Sequence, residues 1–422
     1  MSVTELVDPR AAAPVPKGRA RWRLVAYQRQ WNTALPIIIT ELPDARGRRL
    51  TQKWNAPAEL TFTLDSHRPA AKLMLELATD VVAMRWSDQL GRDVTIFRGL
   101  IDHSEDQISE QSAIVTFTAH DYLAMLGRRH TTPSVPAGWS STDQDIIVSG
   151  LLQYAANGWQ SNNLSSLLPG TWLPVTTVRV NPDGTSRAAY SGILRDRFYP
   201  PATVFLTAMD DLAKCINGFD YDLKPNGPSS SYDQLRVFYP QQGIARTDVA
   251  LAYGANVASL TRTVSSADYA NYVRVIGNKA NTDPNAAQLF SEKWNTDANN
   301  VTVNPVGLWQ EAINASDVTI QSTLDDRANG ILAFDGLLTP AYTLKLRPGT
   351  FYPGYFNMGD SVPLYINEGR LAVNTSVRIV GITYDVGEDG QENVEIVVGR
   401  PPRSLAQILS APAKDVDALV RR

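Results

Sequence analysis

Any chemistry in this 422-residue sequence would have to be built from four histidines, one cysteine and its scattered acids. Nucleophilic catalysis needs a nucleophile, a base held against it, and a group that orients the base. There is no Gly-x-Ser-x-Gly elbow. The only thiol, Cys215, falls on the apolar face of a helical pattern running from Thr203 to Asn217, the position of a core residue. His67 precedes Arg68–Pro69 and reads as a loop residue, His103 and His120 end or follow strands, and His130 starts a linker. Each is expected to be structural or superficial. One cysteine with four scattered histidines does not make a zinc site, and His-Glu-x-x-His helices, phosphate-cradling Gly-x-x-x-x-Gly-Lys loops and calcium loops are all missing from the sequence. Glycan hydrolysis needs two convergent carboxylates. The obvious doublets, Asp210–Asp211 and Asp325–Asp326, sit on helical patterns, where adjacent side chains point about 100° apart. They read as solvated faces. The expectation is therefore no catalytic, cofactor-binding or metal-ligating residue. Trp22, Trp31, Trp54 and Trp86 lie beside strands and are expected to be buried, which leaves Trp139, Trp159 and Trp172 as reserve candidates for an exposed contact surface.

The elements that would carry these residues are mostly strands. Leu60, Phe62 and Leu64 alternate with Thr61, Thr63 and Asp65, the period of a half-buried strand. Val81–Trp86, Val94–Phe97 and Ala113–Ala119 continue the series, and Asp121 and Gly127 bracket a short helix. Helices are expected at Asp143–Ala156, Thr203–Asn217 and Ser316–Phe334, the last weakened by Gly330. Asn181–Pro182–Asp183–Gly184 signals a hairpin. Strands return at Asn271–Ile276, Tyr342–Leu346, Ser361–Ile366, Ser376–Thr383 and Asn393–Val398, with the polar stretch Asn278 to Asn304 read as a long loop or insertion. The two β regions share a local grammar: Phe97–Arg98–Gly99–Leu100–Ile101–Asp102 and Ile379–Val380–Gly381–Ile382–Thr383–Tyr384–Asp385 each run a strand through a glycine towards an acidic turn and a returning strand. A glycine inside a strand often marks a bulge.

Composition bounds the rest. Hydrophobic residues make up 43% and charged residues 19%, as in a globular chain with a real core, and the length suits several domains. A formal charge of -4 leaves no broad basic surface for wrapping nucleic acid, and the basic clusters Arg46–Gly47–Arg48–Arg49 and Arg128–Arg129–His130 read as solvated loop ends. No apolar run reaches membrane-spanning length, and Met1 to Arg10 does not read as a signal peptide, so synthesis in a bacterial cytoplasm is expected.

Three stretches carry a resemblance: Trp54–Asn55–Ala56–Pro57–Ala58–Glu59–Leu60–Thr61–Phe62, Val94–Thr95–Ile96–Phe97–Arg98–Gly99–Leu100–Ile101–Asp102, and Val115–Thr116–Phe117–Thr118–Ala119–His120–Asp121–Tyr122–Leu123. Leu324–Asp325–Asp326–Arg327–Ala328, Met358–Gly359–Asp360–Ser361–Val362–Pro363–Leu364 and Val377–Arg378–Ile379–Val380–Gly381–Ile382–Thr383–Tyr384 extend it. With these the chain, from roughly Trp22 to Arg400, resembles the minor tail proteins and baseplate (tail-tip) hubs of long-tailed bacteriophages, siphoviruses infecting actinobacteria. The resemblance implies a mainly β fold with an α+β insertion: two tail-tube-like β-barrels plus a middle α+β domain. The corresponding division is an N-terminal arm at 1–20, a first barrel at 21–130, the middle domain at 131–254, a second barrel with polar insertion and helix at 255–402, and a docking tail at 403–422. It implies a homotrimer at the virion tail tip that closes the six-fold tail tube. Its partners would be the distal tail protein ring, the tape-measure protein C-terminus and other minor tail or tip proteins. DNA would meet the chain only in transit, through a lumen expected to be acidic, with no direct membrane insertion. The competing reading is a cell-wall-directed glycan-binding or peptidoglycan-hydrolysing tail protein with its site between Thr131 and Tyr253.

Overall fold

The structure is a computed structural model describing residues 21–28, 37–87, 91–131, 137–157, 175–215, 217–226, 233–267, 269–279, 287–295, 307–315, 318, 320–348, 355–387 and 390–399. The N-terminal arm, the docking tail, Trp31, Trp159 and Trp172 lie outside the described residues.

The strand alternation read from the sequence decides which face is buried. In the strand Glu59–Asp65, Leu60, Phe62 and Leu64 are buried while the threonines between them are half-exposed. Val115, Phe117 and Ala119 repeat this on Ala113–His120, which pairs antiparallel with it and places Phe62 opposite Phe117. Glu392, Val394, Ile396 and Val398 do the same on Glu392–Gly399. The fold is mainly β.

Most strands join one 13-stranded sheet. Its first half runs, in spatial order, Arg46–Lys53, Glu59–Asp65, Ala113–His120, Arg92–Ile108, Thr79–Ser87, Trp22–Gln28 and Ile37–Glu41. Its second half runs Val257–Thr263, Ala341–Leu346, Glu392–Gly399, Leu371–Val386, Ser361–Glu368 and Leu251–Ala252. Five consecutive strands have the same order and the same antiparallel pairing in both halves. The long strand of each half serves two partners in turn. Arg92–Ile108 pairs Thr79–Ser87 and then Ala113–His120, with a bulge between Ile101 and His103. Leu371–Val386 pairs Ser361–Glu368 and then Glu392–Gly399, with a bulge between Ile379 and Gly381.

Among the described residues the two halves do not close as separate barrels. Leu371–Val386 also pairs with Arg46–Lys53, so the halves are hydrogen-bonded into one sheet over a shared core, and among the described residues that sheet stays open at Ile37–Glu41 and Val257–Thr263. The bulges also correct the sequence echo. They make His103, not Gly99, the positional counterpart of Gly381, each being the first paired residue after its bulge.

Two smaller cores complete the described chain. One packs the helices Tyr122–Leu126, Gln144–Asn157 and Phe205–Ala213 against the sheet Val175–Val180, Asp233–Phe238, Asp220–Lys224. The helix Phe205–Ala213 is shorter than its apolar pattern, and Arg187–Tyr190 forms no strand. The other packs the helix Gln321–Asp335, which runs through Gly330, on Tyr272–Lys279, Gln288–Trp294 and Gln310–Ala315. Gln288–Trp294 thus lies inside the stretch read as a loop, because its inward Ser291 and half-buried Leu289 supply little apolar signal.

Candidate assembly interface

The side chains whose types could do chemistry are held in structural contacts. Cys215 is buried, accepts from Arg197 Nη2 at 2.7 Å and donates to the Asp211 carbonyl at 3.1 Å. Asp210 accepts the Tyr221 hydroxyl at 2.6 Å, and Asp211 meets Arg327 at 3.3 Å. Asp325 accepts from Ser291 Oγ at 2.6 Å, and Asp326 lies 3.7 Å from Arg195. The doublets are therefore links between packed elements as much as solvated faces. His67 pairs locally with Asp65, His103 is exposed on its strand, and His130 Nδ1 lies 2.9 Å from the Ala202 carbonyl. His120 sits between Asp102, 2.9 Å away, and Glu59, 3.4 Å away, half-exposed on the sheet. Trp139 is partly buried, edge-on to Tyr154 and Tyr199, and Trp22 is buried, while Trp54 and Trp86 are only half-buried. Among the described residues no group of three or more His, Cys, Asp or Glu side chains is placed to hold a metal ion.

The geometry concentrates instead at joints between units. At the seam of the sheet, Gly381 to Val386 run opposite Lys53 to Arg48, and the Trp54 N–H donates to the Val380 carbonyl at 3.0 Å. Glu392 closes the seam: it accepts Arg85 Nη2 at 2.5 Å and Trp22 Nε1 at 2.9 Å. Trp22 also packs on Tyr384, whose phenol burial and the nearby Glu392 carboxylate push far up in pKa. Arg48 crosses the same corner, donating to the Ala45, Trp22 and Pro43 carbonyls.

The stretches that carried the resemblance hold these joints. Asp121 caps the helix Tyr122–Leu126 by accepting from Leu123 N at 3.0 Å, and its second oxygen accepts from Ala58 N at 3.0 Å, tying the third stretch to the first. Desolvation outweighs these two amides and raises its pKa to about 7. Arg98 of the second stretch is buried against Asp233 at 3.5 Å and Asp80 at 3.9 Å, and the Tyr122 hydroxyl donates to Asp80 at 2.5 Å. Desolvation, partly offset by Arg98, lifts Asp233 to about 6. This cluster fixes the first half of the sheet to the middle core. Arg378 fixes the second half, bonding Asp220 and the Gln242 carbonyl, and Asp360 accepts from Ile244 N at 3.0 Å. Gly243 and Gly359, both at positive φ, stand back to back there: a Cβ on Gly243 would lie 2.0 Å from the Gly359 carbonyl carbon.

Sequence reasoning took Arg48 for part of a solvated loop end and gave Arg85 and Glu392 no role of their own. Only Glu392 had a usable signal: it occupies an inward position of an otherwise apolar alternation, where a carboxylate must find a partner.

No protein-family model matches the sequence, and no curated protein matches it. Solved structures do match the fold. The prophage tail protein gp18 from Listeria monocytogenes EGD-e superposes with a TM-score of 0.51 at 11% identity, covering 93% of this chain and 99% of that one. A tail protein from Neisseria meningitidis MC58 gives 0.55 at 11% identity, covering 90% and 96%. The 43 kDa tail protein of prophage MuSo2 from Shewanella oneidensis gives 0.52 at 12% identity, covering 89% and 97%. With a duplicated sheet, a middle α+β core and near-full mutual coverage, this chain has the fold of phage tail proteins.

Proposed function

We propose that the protein is a structural component of a phage virion, the hub of the tail tip. Three copies would form a ring closing the six-fold tail tube, through whose lumen tape measure and DNA pass during ejection. The distal tail protein ring, the tape-measure C-terminus and other tip proteins would be its neighbours, and an actinobacterial siphovirus its source. One observation carries the reading: a single chain holds the same five-strand sheet twice. Three such chains place six like units around one axis, which matches a six-fold tube on one side and a three-fold object on the other. The fold likeness to three phage tail proteins supports the virion setting.

The test is the mass and image of the purified chain. A ring of three times the 46.3 kDa chain mass, and antibody labelling at the tail tip of virions, is the expected result. Clearing of host cell walls by the pure protein, with no ring formed, would favour the cell-wall-directed reading instead.

A further inference from the structure

Besides its end at Val257–Thr263, the sheet has a second one-sided edge inside the strand Arg92–Ile108, and the chain already contains the joint that fits the two. Within one chain, the Gly381–Val386 half of the strand Leu371–Val386 pairs on one side with Glu392–Gly399 and on the other with Arg46–Lys53. Its counterpart in the first half of the sheet is the His103–Ile108 half of Arg92–Ile108, because both follow the bulge and both pair with the returning strand. Among the described residues, His103–Ile108 pairs on that returning side alone. The counterpart of Arg46–Lys53 is Val257–Thr263: Thr61 faces Arg49 as Thr343 faces Thr261, with Thr61 and Thr343 two places from the residues opposite His120 and Gly399. At Val257 its outer edge bridges Tyr253, but from residue 260 to 263 that edge is likewise unpaired among the described residues.

We propose that the outer edge of Val257–Thr263 binds the His103–Ile108 segment of a second copy of this chain, in the register that joins Arg46–Lys53 to Gly381–Val386 within one copy. The inference rests on the reading of the chain as a ring-forming tail protein and assigns that ring its contact. Carrying the register across places Asp106 of one copy opposite Arg262 of the next, where Tyr384 faces Leu50 within a chain. It places Ile108 opposite Leu260, Gln107 opposite Thr261 and Glu105 opposite Thr263. The side chains suit these positions. Asp106 and Arg262 are exposed and opposite in charge, and cross-strand pairs of that kind are favourable. Ile108 is 78% exposed in one copy and would gain an apolar neighbour in the half-buried Leu260. Arg262 lines a shallow groove of about 400 Å³ with Tyr342, Arg370, Leu371, Ala372 and Val373, so the Asp106 carboxylate would enter a recess carrying two guanidinium groups. A second copy is the fitting occupant because one edge carries the anion and the other the cation, in matching register. The contact is head-to-tail, and such contacts close into rings while removing open strand edges.

The test is a disulfide across the joint. Gln107 and Thr261 are both exposed, and the one native thiol, Cys215, is buried. Directly opposed residues of antiparallel strands stand at distances a disulfide spans. Oxidised Q107C/T261C protein should run as covalent multimers on a non-reducing gel. Mixing Q107C with T261C should give covalent dimers, and neither alone should. Separately, D106R should dissolve the native oligomer and D106R/R262D should restore it, which shows that the single variant folds. A full-size oligomer in which Q107C/T261C forms no cross-link overturns this pairing and leaves the ring-forming reading standing. A chain that stays monomeric at every concentration overturns both.

Discussion

Arg85 and Glu392 are 307 residues apart in the chain, and the Arg85 guanidinium grips the Glu392 carboxylate through Nε at 2.9 Å and Nη2 at 2.5 Å. Arg85 belongs to the strand Thr79–Ser87 in the first half of the sheet and Glu392 to Glu392–Gly399 in the second, so the pair rivets the two halves over their common core. Both side chains are nearly buried, at 11% and 7% exposure. A buried ion pair is weak evidence of net stability, but breaking one leaves a charge without its partner.

Glu392→Ala should therefore destabilise the protein by about 3 kcal/mol, because Arg85 and the Trp22 N–H both lose their acceptor. Urea unfolding measures this. Replacing Arg85 and Glu392 together by apolar residues should cost less than Glu392→Ala alone. A single-variant loss below about 0.5 kcal/mol, the range of an ordinary surface substitution, would remove the rivet from the account.

Arg98→Met should cost on the order of 3–5 kcal/mol, since it strands Asp80 and Asp233 in the interior without their shared cation. Asp233 belongs to the middle core, so the loss should also loosen that core from the sheet. Limited proteolysis between the two, faster in the variant at equal fraction folded, is the expected readout.

Asp121 supplies a pH dependence with a definite sign. Its carboxyl titrates at about 7 in the folded chain and near the ordinary value of 3.8 unfolded. Its contribution to stability is thus fully present below about pH 4 and is lost as the pH rises through about 7, because only the folded state must then hold a buried charge. Asp121→Asn keeps a capping oxygen without the titration. The stability of the native protein relative to this variant should be greatest near pH 4 and fall towards pH 8. A difference that rises with pH would mean the two amide bonds outweigh burial.

Gly99 and Gly381 look alike in sequence and should behave differently. A Cβ on Gly99 would lie 2.3 Å from the His120 carbonyl oxygen, a backbone atom that cannot move aside without disturbing the strand pair. A Cβ on Gly381 would meet the Val397 Cβ at 3.2 Å, a contact that small adjustments relieve. Gly99→Ala should cost about 1–3 kcal/mol or more, as overpacked sites do, and Gly381→Ala distinctly less. Equal thermal shifts in the two variants would contradict this.

The same pair shows where sequence reasoning stops. The mainly β character, the inward faces of Glu59–Asp65 and Ala113–His120, and the cap at Asp121 were all legible, because each depends on residues within a few positions of one another. Alternation and capping are local physics. The repeat was legible as a theme of strand, glycine and acidic turn, but its register was not. Pairing makes His103, opposite Thr118, the counterpart of Gly381, opposite Val397, and pairing is made with other strands. Arg46–Lys53 was not legible as a strand: of its eight residues only Leu50 is a large apolar one, and Arg46–Gly47–Arg48–Arg49 read as a solvated loop end. It is a strand because Glu59–Asp65 and Leu371–Val386 satisfy its backbone from both sides. The sequence by itself thus determined strands, faces, caps and the likeness to a known architecture. The tertiary structure alone decided that the two halves form one sheet with one core, that Glu392 and Arg85 meet, and which edges are left open. Those outcomes depend on backbone hydrogen bonds and buried charges between segments hundreds of residues apart, and no local pattern encodes a partner at that distance.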